Sequence, residues 1–250
     1  MVTLNIKRQE DDKIWYDTFQ VDEKPGMNVL EALFEIQEKQ DGSLCFRFAC
    51  RGAVCGSCAM LINKVPRLAC KKLVGDVKKE DISSLKSDQI LTSPQFSKES
   101  NDRILIEPLP NLGVIRDLVV DMEHFYSLVD SVQPWITAEE NYDDQHLIEP
   151  ATQKKLEKYT NCILCAVCHG ICPAAARDDK YLSPAGLARA WRFQLDPRDS
   201  EKSKLQRYNI VDSLSGVWGC DLVYKCVAVC PKKVPPTKAI KQMRRQISEK

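Results

Sequence analysis

At 250 residues with a formal net charge of +1, the chain has room for one large domain or two modest ones, and its charge balance excludes a partner held by bulk electrostatics, such as nucleic acid. No charged-then-apolar or twin-arginine leader opens it, and no apolar run approaches the roughly 18 to 20 residues of a membrane span, so a soluble chain on the cytosolic side is expected. In such a compartment twelve cysteines are too many for casual use and unsuited to a disulfide framework, which makes metal ligation the expectation.

The opening alternates as strands do, "VTLNIKR" then "YDTFQVD", and "EKPG" follows with turn chemistry. "MNVLEALFEIQEK" switches to helical spacing through Val29, Leu30, Leu33 and Ile36, with Asn28 and Glu31 placed for an N-terminal cap. "LCFRF", "AMLIN", "RLAC" and "RILIEPL" read as further strands. Two strands, a helix and more strands suggest, by analogy, the β-grasp of plant-type ferredoxins for residues 1–108. The break "EPLPNLG" sets the domain boundary, and residues 109–250 read as mainly α-helical. "VIRDLVVDMEHFYSLV" is expected to be one helix with Ile115, Leu118, Val119, Met122, Phe125 and Val129 on a face. "GLARAWRF" and "TKAIKQMRRQI" are expected to be helical as well. "NYDDQHLIEPATQ" reads as a surface loop and "DPRDSEKSKLQR" as a solvated charged segment. The fold class is therefore α+β: an N-terminal β-grasp domain followed by a helical, bacterial-ferredoxin-like one.

Cysteine spacing carries the chemistry. "CRGAVCGSC" followed by Cys70 gives C-x4-C-x2-C-x11-C, the plant-type 2Fe-2S pattern through Cys50, Cys55, Cys58 and Cys70. Thiolates are soft, strongly donating ligands suited to iron. Gly52 and Gly56 fit a loop that needs positive φ and close backbone approach to sulfur, although ordinary turn glycine is an equal reading. Cys45 lies on the opposite parity from Leu44, Phe46 and Phe48 and is expected to be a half-buried thiol outside the ligand set.

"CILCAVCHGICP" is the full bacterial run C-x2-C-x2-C-x3-C-P, whose fourth cysteine ordinarily serves the other of two clusters. The second run, "CDLVYKCVAVCP", has Val223 where its second cysteine would stand. Crossing the fourth ligands assigns Cys162, Cys165, Cys168 and Cys230 to a 4Fe-4S cluster. It leaves Cys172, Cys220 and Cys226, three thiolates, for a 3Fe-4S cluster whose vacant corner Val223 covers. A zinc ribbon is the ordinary alternative for paired C-x2-C motifs, but zinc rarely uses three cysteines in this register. Asp221 and His169 are expected to be exposed or supporting groups rather than ligands, and His124 and His146 carry no motif. No catalytic arrangement or phosphate loop is present, so bond-making chemistry on a substrate is not expected of this chain.

One plant-type cluster motif followed by a two-cluster bacterial module with a vacant ligand resembles the iron-sulfur subunits of succinate dehydrogenase and fumarate reductase complexes. "CRGAVCGSCAM", "PRLAC", "RDLVVDM", "CILCAVCHGICP" and "GVWGCDLVYKCVAVCPKKV" look like family signatures in family order. The resemblance implies an electron-transfer subunit at the cytoplasmic face of the cell membrane. Its partners would be a flavoprotein with covalent FAD, where succinate and fumarate interconvert, and a membrane anchor with haem b and quinone. Cys50, Cys55, Cys58 and Cys70 would face the flavin, and Cys172, Cys220 and Cys226 the membrane. Ubiquinone-linked members place tryptophans after the first run and a histidine after the first cysteine of the second; "PAAARDD" and Asp221 stand here instead. Together with "GVWGC" and Val223, this leans toward a menaquinone-linked fumarate reductase. Lys241 and Arg244, on the last helix, read as a solvated basic tail rather than as quinone contacts. Succinate oxidation as the physiological direction is the alternative within the family, and a free soluble ferredoxin and a chain whose clusters are purely structural are the competing classes.

Overall fold

The computed structural model describes residues 1–80, 103–138 and 145–249. Two compact units result: Met1–Met122 with Cys165–Ile171, and Glu123–Leu164 with Cys172–Lys250. The boundary read from the sequence, between 108 and 109, falls inside the first unit.

The first unit is built on a five-stranded mixed sheet in the order β2-β1-β5-β3-β4, from β1 (Val2–Glu10), β2 (Lys13–Val21), β3 (Ala59–Ile62), β4 (Val65–Leu68) and β5 (Arg103–Glu107). β5 runs parallel to β1, with Leu4 opposite Ile104 and Ile6 opposite Ile106, and antiparallel to β3. Val2, Leu4 and Ile6 are buried in alternation, each worth about 1.5–3 kcal/mol of apolar burial. Helix α1 (Val29–Lys39) covers the sheet with Val29, Leu30, Ala32, Leu33 and Ile36. Its capping box is complete: the Glu31 N–H donates to Asn28 Oδ1 at 3.0 Å and the Asn28 N–H to Glu31 Oε2 at 2.8 Å. The strands expected at "AMLIN", "RLAC" and "RILIEPL" are present, whereas "LCFRF" is irregular, with Leu44 and Phe46 buried. α2 (Val74–Lys79) follows β4 after a short 3-10 turn, Ala69–Lys71.

The helix expected across 114–129 forms only in its second half. Val114–Arg116 (β6) and Val119–Val120 (β7) pair as a hairpin, and α3 (Glu123–Asp130) begins beyond it, so Ile115 is exposed while Phe125 and Val129 are buried. The reason is a buried charge. Arg8 occupies an inward register of β1, and a buried guanidinium must be paired. It bonds Asp17 at 3.0 Å, Ser43 at 2.9 Å, Asp117 at 3.0 Å, and also Asp41. Asp117, at φ 48 in the hairpin turn, accepts backbone N–H groups from Gln9 and Cys45 as well. A helix through Asp117 would withdraw that carboxylate from its partners.

The second unit surrounds α7 (Pro184–Gln194), which buries Leu187, Ala188, Trp191 and Phe193 among α3, α4 (Pro150–Thr160), α8 (Glu201–Val211) and α10 (Pro236–Ser248). Short helices α6 (Pro173–Arg177) and α9 (Lys225–Ala228) carry parts of the cysteine runs here; α5 (Val167–Gly170) belongs to the first unit. Two sequence expectations need correction. "PATQ" opens α4, with Pro150 at its first turn where a missing N–H costs nothing; residues 141–144 of the expected loop lie outside the described residues. "DPRDSEKSKLQR" is not a solvated charge run. Asp199 and Arg207 are both buried and paired at 2.7 Å, Asp196 pairs with Arg198 at 2.8 Å, and Arg207 also donates to the carbonyls of Val132, Gln133 and Trp135.

Candidate metal centres

In the first unit the loop 50–58 turns its amides onto one sulfur. Cys50 Sγ accepts N–H groups from Gly52 at 3.3 Å, Val54 at 3.3 Å and Cys55 at 3.2 Å. These donors favour a negative sulfur and lower the Cys50 thiol to about 6. The path needs left-handed backbone at Arg51, Ala53 and Gly56. Gly56 therefore serves as expected, whereas Gly52 has an ordinary φ and contributes its amide. Cys58 is pushed up to about 12 by burial, with Cys70 and Cys55 close enough to raise it further. Cys70 sits on the 3-10 turn after β4, where the Ala69 N–H donates to Cys58 O at 3.0 Å. All four thiols expected in the plant-type set are thus neighbours. A cradle of amides around anion-ready sulfur fits an iron-sulfur cluster, since such donors stabilise thiolate and sulfide charge. Arg51 stacks over Phe34 and Phe48, 4.7 and 5.5 Å from the ring centroids, and braces the loop against α1. Sequence reasoning missed this brace. Cys45 is half-buried, with its sulfur 3.4 Å from Ser43 O.

In the second unit Cys172, Cys220 and Cys226 come together. Burial raises the Cys172 thiol against the Ala175 and Ala174 N–H groups, and Cys220 adds to the rise. Cys226 is pushed up to about 11 by burial, with Cys172 and Cys220 contributing, while the Thr237 hydroxyl 3.2 Å away opposes the rise. Cys220 Sγ accepts the Leu222 N–H at 3.4 Å. The buried Tyr181 hydroxyl, with no oxygen or nitrogen partner among the described residues, faces these thiols. A polar orphan beside three thiols fits a site built for an anionic sulfur cluster.

Cys162 and Cys230 also lie in this unit. Burial raises the Cys162 thiol, the Leu164 N–H and Arg189 oppose the rise, and Cys230 adds to it. Cys230 Sγ accepts the Val234 N–H at 3.3 Å. Cys165 and Cys168 are half-buried in the first unit. Among the described residues no three His, Cys, Asp or Glu side chains crowd one point closely enough for a single metal ion.

The remaining candidates separate clearly. His169 is buried, with Nε2 3.2 Å from Asn111 O, and braces the loop after β5. His124 is exposed beside Asp179 O, and His146 is exposed. Asp221 pairs with Arg177 at 2.9 Å near the surface. Val223 is 44% exposed, and Leu214, Trp218 and Tyr224 are exposed as well. Arg244 is no solvated tail residue: it donates to Val217 O at 2.8 Å and Cys220 O at 2.6 Å and lies over Trp218, while Lys241 lies over Tyr224.

Comparison with known proteins matches this layout. A family model described as a 2Fe-2S iron-sulfur cluster binding domain covers residues 3–127, and one described as a 4Fe-4S dicluster domain covers residues 158–234. The fumarate reductase iron-sulfur subunit of Haemophilus influenzae is 33% identical over 252 residues, spanning 96% of this chain and 89% of that protein. The chain belongs to the fumarate reductase iron-sulfur subunit family. The Mycobacterium tuberculosis fumarate reductase iron-sulfur subunit is 32% identical over 249 residues, covering 97% of this chain and 91% of its own. A chain of the Mycobacterium smegmatis Sdh1 complex shares the fold, with a TM-score of 0.79 at 20% identity over 99% of this chain and 95% of its own. This family member has, among its described residues, no helix long and apolar enough to cross a membrane.

Proposed function

We propose that the chain is the electron-transfer subunit of a membrane-bound fumarate reductase, joining the FAD of a flavoprotein subunit to menaquinone in a haem-bearing anchor at the cytoplasmic face of the cell membrane. The observation that supports this reading is the order of the cysteine motifs along the chain, with Cys50, Cys55, Cys58 and Cys70 neighbours in the first unit and Cys172, Cys220 and Cys226 neighbours in the second. We assign Cys50, Cys55, Cys58 and Cys70 to a 2Fe-2S cluster within a ferredoxin domain of residues 1–108. The helical domain, 109–250, supplies Cys162, Cys165, Cys168 and Cys230 to a 4Fe-4S cluster and Cys172, Cys220 and Cys226 to a 3Fe-4S cluster. When bound, the clusters supply one-electron carriers. The chain's own residues hold them: amides converge on Cys50, a hydroxyl lies on Cys226, and arginines fix the backbone at Cys162 and Cys220. Leu214, Trp218, Val223 and Tyr224, all within six positions of Cys220 in sequence, are exposed, which supports an apolar partner at that end. Asp221, paired with Arg177, stands where ubiquinone-linked relatives carry a histidine, which supports the menaquinone assignment.

Anaerobically purified native complex should contain about nine non-haem irons per copy of this chain, from two, four and three. A flavoprotein, a haem subunit and menaquinone should accompany it. A reproducible non-haem iron content near ten would reject the three-iron assignment. A stable monomer competent with unrelated reductases would reject the complex.

A further inference from the structure

Among the described residues of the second unit, two buried side-chain polar atoms have no hydrogen-bond partner, Arg192 Nη1, which is ion-paired with Asp196 at 3.3 Å, and the Tyr181 hydroxyl. Tyr181 is 1% exposed, and its hydroxyl reaches no nitrogen or oxygen. Leaving a buried hydroxyl unsatisfied is costly, so its retention in this position asks for a partner. The backbone that carries the ring is pinned on both sides. Its own N–H donates to Asp178 O at 3.2 Å, its carbonyl accepts the Ser183 N–H at 2.6 Å, and the next residue's N–H is held by Ser215 O at 2.8 Å. From the other side the backbone at Gly219 presses on the ring: a Cβ there would stand 3.2 Å from Tyr181 Cδ2 and 2.4 Å from Leu214 O. The ring thus lies against Gly219, the residue before Cys220, within the cluster that also holds Cys172 and meets Cys220.

We infer, on the reading that Cys172, Cys220 and Cys226 hold a three-iron cluster, that the Tyr181 hydroxyl donates a hydrogen bond to that cluster's sulfur rim and raises its reduction potential. A donor aimed at sulfur favours the more negative, reduced state, and hydrogen bonds to sulfur are one of the levers on cluster potential. Thr237, whose hydroxyl lies 3.2 Å from Cys226 Sγ, is a second donor and supplies an internal standard.

The test is a redox titration of the native complex followed by the oxidised-state paramagnetic resonance of the three-iron centre. Tyr181→Phe should keep the full signal intensity and shift the midpoint downward, in the same direction as Thr237→Val. Hyperfine spectroscopy after exchange into deuterated water should show a coupled deuteron in the native complex that Tyr181→Phe removes. An assembled Tyr181→Phe complex with an unchanged midpoint and an unchanged deuteron coupling overturns the inference, whatever Thr237→Val does. If the phenylalanine variant assembles poorly, 3-fluorotyrosine at position 181 keeps the shape and strengthens the donor. Its midpoint should then rise, and an unmoved midpoint overturns the inference equally. Absence of any three-iron resonance from the native complex would instead overturn the ligand assignment on which the inference rests.

Discussion

The two cysteine runs, 162–173 and 220–231, follow one backbone course with different side chains. Leu164 and Ala166 adopt left-handed φ values of 51° and 57°, and their counterparts Leu222 and Tyr224 adopt 55° and 61°. A four-residue helix follows in each, Val167–Gly170 and Lys225–Ala228. The carbonyl of the first cysteine is held by an arginine in both, Cys162 by Arg189 at 3.1 Å and Cys220 by Arg244 at 2.6 Å. Between the two left-handed residues stands Cys165 in one run and Val223 in the other. The loop is thus specified by its backbone and by the helices behind it, and a ligand can be dropped without changing the path. Left-handed backbone at a residue with a Cβ costs on the order of 1–2 kcal/mol. The inward-turned amides offset that cost when they meet anionic sulfur.

The strongest way to break this comparison is to make the runs alike. Val223→Cys restores the full register, and an assembled variant should gain about one iron per chain, lose the oxidised-state resonance and acquire a reduced-state one, with a lower potential and slower quinone reduction. A fully assembled variant that keeps an unchanged three-iron signal would show that Val223 does not correspond to Cys165. The arginine clamps come next. Arg244 bonds three carbonyls, of Val217, Trp218 and Cys220, and Arg189 is seen on one. Arg244→Met should cost on the order of 2 kcal/mol and Arg189→Met about half of that. Chemical denaturation of the complex measures both, and the Arg244 variant should deplete the three-iron resonance while sparing the reduced 2Fe-2S signal. Equal losses from both variants would remove the asymmetry.

A smaller effect tests the shared backbone itself. Ala166→Gly should stabilise by about 1 kcal/mol, since glycine adopts positive φ without strain. Tyr224→Gly should shift stability in the same direction by less, because it also removes the ring under Lys241. Opposite signs in thermal unfolding would argue that the two loops are held differently. The smallest effect is expected outside both runs: Cys45→Ser should leave all three cluster signals unchanged, its sulfur being engaged with Ser43 O rather than with Cys50. Loss of the reduced 2Fe-2S resonance would show that the ligand set extends to Cys45.

Local signals were the legible ones. The alternation of Val2, Leu4 and Ile6, the Asn28 and Glu31 cap and the spacing of the cysteines each report on residues within a turn or two of one another. What escaped the sequence depends on distant partners. "VIRDLVV" has a helical stripe on paper, but Asp117 answers Arg8, more than a hundred positions away, and bends it into a hairpin. "DPRDSEKSKLQR" looks solvated because nothing in its composition announces the carbonyls of Val132, Gln133 and Trp135 that receive Arg207. Arg244 was read as part of a basic tail for the same reason: its acceptors lie two dozen positions earlier.

The strand order of the first sheet has a consequence for synthesis. β5, made last of the five, is the middle strand, seated between β1 and β3. Until residues 103–107 have left the ribosome, the facing edges of β1 and β3 have no partner, and the nascent sheet is two separate hairpins with open edges. The amides around Cys50 come from residues no more than five positions away and need no such wait. The sulfur cradle can therefore take shape on the nascent chain while the sheet is still incomplete, and the arrival of β5 joins the two hairpins after the loop has formed.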